Sequence, residues 1–244
     1  MTNKYMYFIA NWKMFGDLNS LNSLNPVINF SNKLKKKKLK IIYCPPATLL
    51  HAISKKLKKT KIDVGAQNCH QLDSYGAFTG SLNSSMLRNV GAKYIIIGHS
   101  ENRKAGDNDM LINLKIKSAL KSGLKVIFCI GESLKDKRNK NTNKTLSKQI
   151  QTGLRKIRNK KDIIIVYVPF WAIGSGQIPK LSELSKTISF IKNKNKNSKV
   201  LYGGSVNSKN ISELKKIEII DGFLVGGASQ HSKKFIDIIK KIYS

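Results

Sequence analysis

"DIIIVYVPFWAIGSG", residues 162–176, is an apolar, β-branched run that passes without a break into a glycine-rich loop. It lacks the polar alternation of a half-exposed strand, so it reads as a parallel strand covered on both faces. The end of such a strand is where an α/β enzyme carries its reactive groups. Yet between Asp162 and Glu183 there is no carboxylate, histidine or cysteine. The stretch therefore raises two questions: what fold surrounds it, and what chemistry a strand end without a reactive group can support.

Working outward, similar runs lie at 5–10, 39–44, 61–66, 93–98, 124–130, 162–168, 199–203 and 221–226, eight in all. Helical periodicity fills the intervals. "DNDMLINLKIKSALKSG" sets Met110, Leu111, Leu114 and Ala119 near one face and closes on Gly123, a C-terminal helix stop. "SELSKTISFIKN" offers Ser182 as N-cap and Leu184, Ile188 and Ile191 as an apolar stripe. Eight strand–helix repeats without a linker predict an α/β chain closed into a (β/α)₈ barrel, a single domain over residues 1–244. The alternative, an open doubly wound sheet, expects a GxGxxG turn after the first strand, and "ANWKMFGD" is not one.

Composition narrows the function classes. With 45 Lys+Arg against 14 Asp+Glu the formal charge is +31. The lysines are scattered, in "KLKKKKLK" at 33–40, "KKLKKTK" at 55–61 and "KNKNKNSK" at 192–199, and interleave with Asn. That pattern favours a solvated basic surface over a selected polyanion-binding face, so nucleic acid is not the expected partner. A positive field still speeds the approach of a small anion. Three cysteines without a CxxC pair argue against a disulfide framework or a zinc site and fit a reducing cytoplasm. With no run of 18 apolar residues and no signal-peptide pattern in "MTNKYMYFIANWK", a cytoplasmic protein without a membrane span is expected.

In a barrel the chemistry sits at the C-terminal ends of the strands. Strand one ends in Asn11, Trp12 and Lys13, and two readings of Lys13 stay open: an anion-binding ammonium or a snorkelling surface lysine. Strand two runs into "CPPATLL", whose prolines suit the first positions of a helix. Strand three ends in Gln67 and Asn68, candidate hydrogen-bonders behind a site. The loop after it, around Tyr75 to Thr79, is too apolar at Ala77 and Phe78 for a free tip. Strand four ends in His99, beside Ser100 and Glu101. Strand five places Glu132 at the rim, and Cys129 reads as a small core residue. "WAIGSG", "YGGSV" and "VGGAS" are glycine-rich turns after strands six to eight. Adjacent turns of this kind, opposite a Lys and a His, favour a phosphate site over plain tight turns. The residues thus describe a barrel holding a small phosphorylated molecule.

"NWKM", "GAQNCH", "GAFTGSLNSSMLRNVGAKYIIIGHSENR", "CIGES", "PFWAIGSG", "YGGSV" and "DGFLVGGAS", in this order across residues 11–229, resemble the triosephosphate isomerase family. The resemblance implies interconversion of dihydroxyacetone phosphate and D-glyceraldehyde 3-phosphate in glycolysis and gluconeogenesis, with no metal or organic cofactor and commonly as a homodimer. It implies that Lys13 stabilises the enediolate and the phosphate, that Asn11 orients substrate and that Glu101 lies beside Lys13. His99 would be a neutral imidazole electrophile, a tuning for which this family is itself the type example. Gly174, Ser205, Gly226 and Gly227 would supply phosphate-binding N–H groups. "PFWAIGSGQIP" would be the lid, of which this family is again the standard case, and "QLDSYGAFTG" the loop that reaches the partner subunit.

Three departures stand out. Asn102 replaces an Arg, and Gln177-Ile178-Pro179 stiffens the second lid hinge. The third concerns the base: the family reads Tyr-Glu-Pro-Val/Ile-Trp, and here the glutamate position is Val168. Valine accepts no proton. Asp162 lies about 20 Å away at the other end of the strand, and Glu183 lies in the next helix. A positioned general base is worth about 10²–10⁴ in rate, so the expectation is an isomerase scaffold of severely impaired activity. A phosphate-ligand-binding or repurposed barrel is the alternative.

Overall fold

The computed structural model of the chain describes residues 5–34, 38–196 and 198–243. Lys35, Lys36 and Lys37 of the first lysine run, and Asn197 of the third, lie outside them. Eight strands close into a barrel in chain order: β1 (Met6–Asn11), β2 (Leu39–Cys44), β3 (Asp63–Ala66), β4 (Tyr94–Ile97), β5 (Lys125–Ile130), β6 (Ile163–Tyr167), β7 (Lys199–Tyr202) and β8 (Gly222–Val225). Each pairs in parallel with the next. β8 returns to β1, where residues 7–10 meet Gly222–Val225 residue for residue. The expected strands are all present, with their ends drawn in by a residue or two in most cases.

Alternation of side chains across each strand divides the core in two. Along β6, Ile164 and Val166 point into the barrel, and Val168, just past the strand, continues that row. Ile9, Ile42, Ile96, Ile127, Leu201 and Leu224 fill the same interior, a packed core. Ile163, Ile165 and Tyr167 face outward onto the helices. Each fully buried Ile, Leu or Phe contributes about 1.5–3 kcal/mol, and this double burial is why the strands read as continuous apolar runs.

The outer layer comprises α1 (Asn25–Lys33), α2 (Ala47–Leu57), α3 (Ser84–Asn89), α4 (Ser100–Lys104), α5 (Asp109–Lys121), α6 (Leu134–Arg138), α7 (Thr142–Gly153), α8 (Leu181–Lys194), α9 (Ile211–Leu214) and α10 (Ser232–Tyr243). Their starts follow local chemistry. Asn83, Asn108 and Ser133 cap α3, α5 and α6 by accepting from the third helical N–H. Gly123 follows the end of α5 at φ +76, as its role of helix stop requires. Leu184, Ile188 and Ile191 are fully buried, as their spacing predicts.

Three local expectations change. In α5 the buried face is Ile112, Ile116 and Ala119, whereas Met110 and Leu114 are exposed. The alternative stripe wins because Ile112, Ile116 and Ala119 pack in one core cluster with Ile95 and Ile97 of β4 and Val126 and Phe128 of β5. α8 starts one residue before Ser182, with Lys180 at the cap position and no side-chain cap, so Ser182 lies inside its first turn. The prolines of "CPPATLL" precede α2 rather than starting it, with Pro46 at the cap position.

Candidate active site

At the C-terminal mouth of the barrel a cavity of about 240 Å³ opens between the ends of β1, β4, β6, β7 and β8. Asn11, Lys13, His99, Gly174, Ser205, Gly226 and Gly227 all line it. Closure of the sheet thus gathers residues spread over more than two hundred positions.

Lys13 leaves β1 with φ +57, a left-handed conformation that is costly for a side chain other than glycine. Three contacts hold it. Its N–H donates to Asn11 Oδ1 at 3.1 Å, its carbonyl accepts from Gln67 Nε2 at 2.9 Å, and its ammonium donates to Glu101 Oε1 at 2.6 Å. Gln67 also reaches the Cys44 carbonyl, tying β1, β2 and β3 together. Asn68 turns away from the mouth and accepts from Lys115, whose ammonium also meets Asp107.

His99 caps α4 and is buried. Its Nδ1 accepts from the Glu101 N–H at 3.4 Å, which leaves the ring proton of the neutral form on Nε2. Burial lowers its pKa below the ordinary imidazole value and Lys13 lowers it further, outweighing the opposite pull of Glu101. For Glu101, burial raises the carboxyl pKa, but the Lys13 hydrogen bond and the His99 and Lys13 charges bring it below the usual range. The group is an ionised partner of Lys13.

Glycines of the turns after β6 and β8 leave open space beside their backbone. A Cβ added at Gly227 or Gly174 meets nothing within 4 Å, and one at Gly226 meets Lys13 Cε at 3.6 Å, so the β8 turn lies against the lysine stem. That turn is anchored to β1, because Trp12 Nε1 donates to the Ser229 carbonyl at 3.1 Å and Gln230 Nε2 to the Trp12 carbonyl at 3.0 Å. Sequence reasoning missed Gln230, and it missed Ile173 and Leu224, which give the cavity an apolar side. Their signal was only their place beside the glycine turns.

Val168 is fully buried, and its Cγ2 would lie 2.9 Å from a Cβ at Gly203. It packs in the same cluster as Leu224 and Ile173, behind the cavity wall. Glu132 corrects an expectation: it is buried rather than at the rim. Its Oε1 accepts from Tyr167 hydroxyl at 3.1 Å and from Trp171 Nε1 at 2.9 Å. Tyr167 faces the helices and Val168 the barrel axis, so β6 stands between the Glu132 carboxylate and the mouth. Cys129 is fully buried and burial pushes its thiol up to about 12, which is core behaviour.

The family model for triosephosphate isomerase matches residues 6–242. The chain belongs to the triosephosphate isomerase family. It is 38% identical to the triosephosphate isomerase of Thermodesulfovibrio yellowstonii over 96% of this chain and 98% of that one. With that of Gloeothece citriformis the identity is 39% over 94% and 96%. The crystal structure of triosephosphate isomerase from Bartonella henselae superposes with a TM-score of 0.89 at 30% identity, covering 98% of this chain and 100% of the other. Among the described residues no helix is long and apolar enough to cross a membrane.

Proposed function

We propose that the chain is a triosephosphate isomerase scaffold that binds a triose phosphate at the barrel mouth and turns it over very slowly. One observation carries this reading: Val168 stands where the family resemblance puts the proton-abstracting glutamate, and no carboxylate lines the cavity among the described residues. Substrate phosphate sits on the N–H groups of Gly174, Ser205, Gly226 and Gly227. Lys13, oriented by Asn11 and Glu101, and the Nε2–H of His99 face the carbonyl and stabilise charge that develops there.

The missing element is a base for carbon. Glu101 is a poor substitute, since the Lys13 contact at 2.6 Å lowers its basicity. Glu132 is on the wrong side of β6. Supporting a homodimer, the loop after β3 exposes Tyr75 and Phe78, and the loop after β1 exposes Met14 and Leu18. Burying these apolar surfaces against a second copy fits the family's usual assembly, and a cytoplasmic role in triose phosphate metabolism fits its usual setting.

The test is isomerisation of glyceraldehyde 3-phosphate by the chain and by Val168→Glu. The variant should gain about 10²–10⁴ in rate. Equal and high activity in both proteins would sink the missing-base reading. Two inactive proteins that still bind inorganic phosphate would establish a phosphate-binding barrel instead.

A further inference from the structure

One side chain touches both ends of the segment 169–179, which the family resemblance marks as the lid. Its first hinge lies in the short turn Phe170–Ala172, and its second ends at Pro179, just before α8. Trp171 of the first hinge is held at its edge and on its face. Its Nε1 donates to Glu132 Oε1 at 2.9 Å, and the Lys137 ammonium stands 3.7 Å from its ring centroid. The same ammonium lies 3.5 Å from Glu183 Oε2, in the first turn of α8. Lys137, carried on α6, therefore bridges a residue before the lid tip and a residue after it.

The tip has no such support. Gly174, Ser175, Gly176 and Gln177 are exposed. A Cβ added at Gly174 or Gly176 meets nothing within 4 Å, and the Gln177 N–H donates to Ser175 Oγ inside the tip itself. A loop of this kind loses conformational freedom when it orders on a ligand, and that loss lowers affinity. Fixing its two ends beforehand removes part of the cost.

We propose that Lys137 is a positioning residue, a clasp that sets the span between the two ends of the lid and so pre-orders Gly174 for phosphate. The inference rests on the reading above that the Gly174 N–H holds phosphate. An ammonium suits the task, because it meets an aromatic face and a carboxylate at once. Both contacts are partly exposed and individually weak, so the clasp biases the lid without locking it.

Lys137→Met keeps an unbranched side chain and removes the charge. In the full-length protein without ligand, the Gly174 and Gly176 amides should then show greater fast motion by nitrogen-15 NMR. The Trp171 indole N–H signal, assigned with Trp171→Phe, should shift while that of Trp12 stays in place. Inorganic phosphate should bind about threefold more weakly by calorimetry, with the urea midpoint barely moved. Lys137→Arg should retain the original amide motion and affinity, since a guanidinium also stacks on an indole and pairs with a carboxylate. Unchanged lid amides in Lys137→Met, or a lid loosened as much by Lys137→Arg, would overturn the clasp. If the unaltered chain fails to bind phosphate, the reading of the mouth falls, and the amide motion without ligand still decides the clasp.

Discussion

The Lys13 ammonium and the Glu101 carboxylate meet at 2.6 Å across the ends of β1 and β4, so a carboxylate beside the cavity is already committed to a cation. That contact helps to hold Lys13 in its left-handed conformation, aimed at the mouth. In a Val168→Glu background, Glu101→Gln should lower kcat/KM by about 10–100-fold, the value of one hydrogen bond between charged groups. Steady-state kinetics of Val168→Glu with and without Glu101→Gln checks this, and an unchanged kcat/KM would remove Glu101 from the positioning of Lys13.

Acid should destabilise the fold in two stages. His99 has a folded pKa below its unfolded value of 6.5, so the unfolded chain binds the proton first. Its contribution is complete above that value and declines as pH falls through it. Glu101 is likewise lowered, from 4.5, so its contribution is lost at lower pH still. Urea midpoints from pH 8 to 4 should fall in both stages, and His99→Gln should flatten the first.

Gly204 and Gly227 should separate folding from binding. A Cβ at Gly204 would lie 2.2 Å from the buried Tyr202 hydroxyl, so Gly204→Ala should cost about 1–3 kcal/mol of stability. A Cβ at Gly227 meets nothing within 4 Å, and the residue lines the cavity proposed to hold phosphate. Gly227→Ala should keep the urea midpoint and weaken inorganic phosphate binding, measured by calorimetry.

A carboxylate at position 168 should carry a cost in stability. Val168 is fully buried among Val166, Leu224 and Ile173, an apolar setting that raises a carboxyl pKa. Val168→Glu should therefore be less stable than the chain by several kcal/mol at pH 8, roughly the penalty for an unpaired buried ion. The deficit should shrink as pH falls and the group protonates. An equal deficit at pH 8 and pH 5 would place the glutamate in solvent instead.

Much of this protein was legible in its residues. Eight apolar runs bounded by turns dictate a parallel sheet covered on both faces, because only double burial tolerates strands with no polar side. The glycine turns, Lys13, His99 and the valine at position 168 could likewise be read in order, since each sits at a strand end where a barrel does its chemistry.

Closure of the barrel decided the rest. The face that α5 buries was ambiguous, because apolar residues occupy two of its stripes, and only packing against the strands selected Ile112 and Ile116. Glu132 looked like a rim residue, yet the alternation across β6 puts its carboxylate on the helix side, next to Tyr167 and one residue from Val168. Lys13 could be read as surface or site until Gln67 and Glu101 were brought to it from the ends of β3 and β4. Local pattern specifies which residues are buried, but a side chain's partners are set by contacts between distant segments, and those exist only once the sheet has closed.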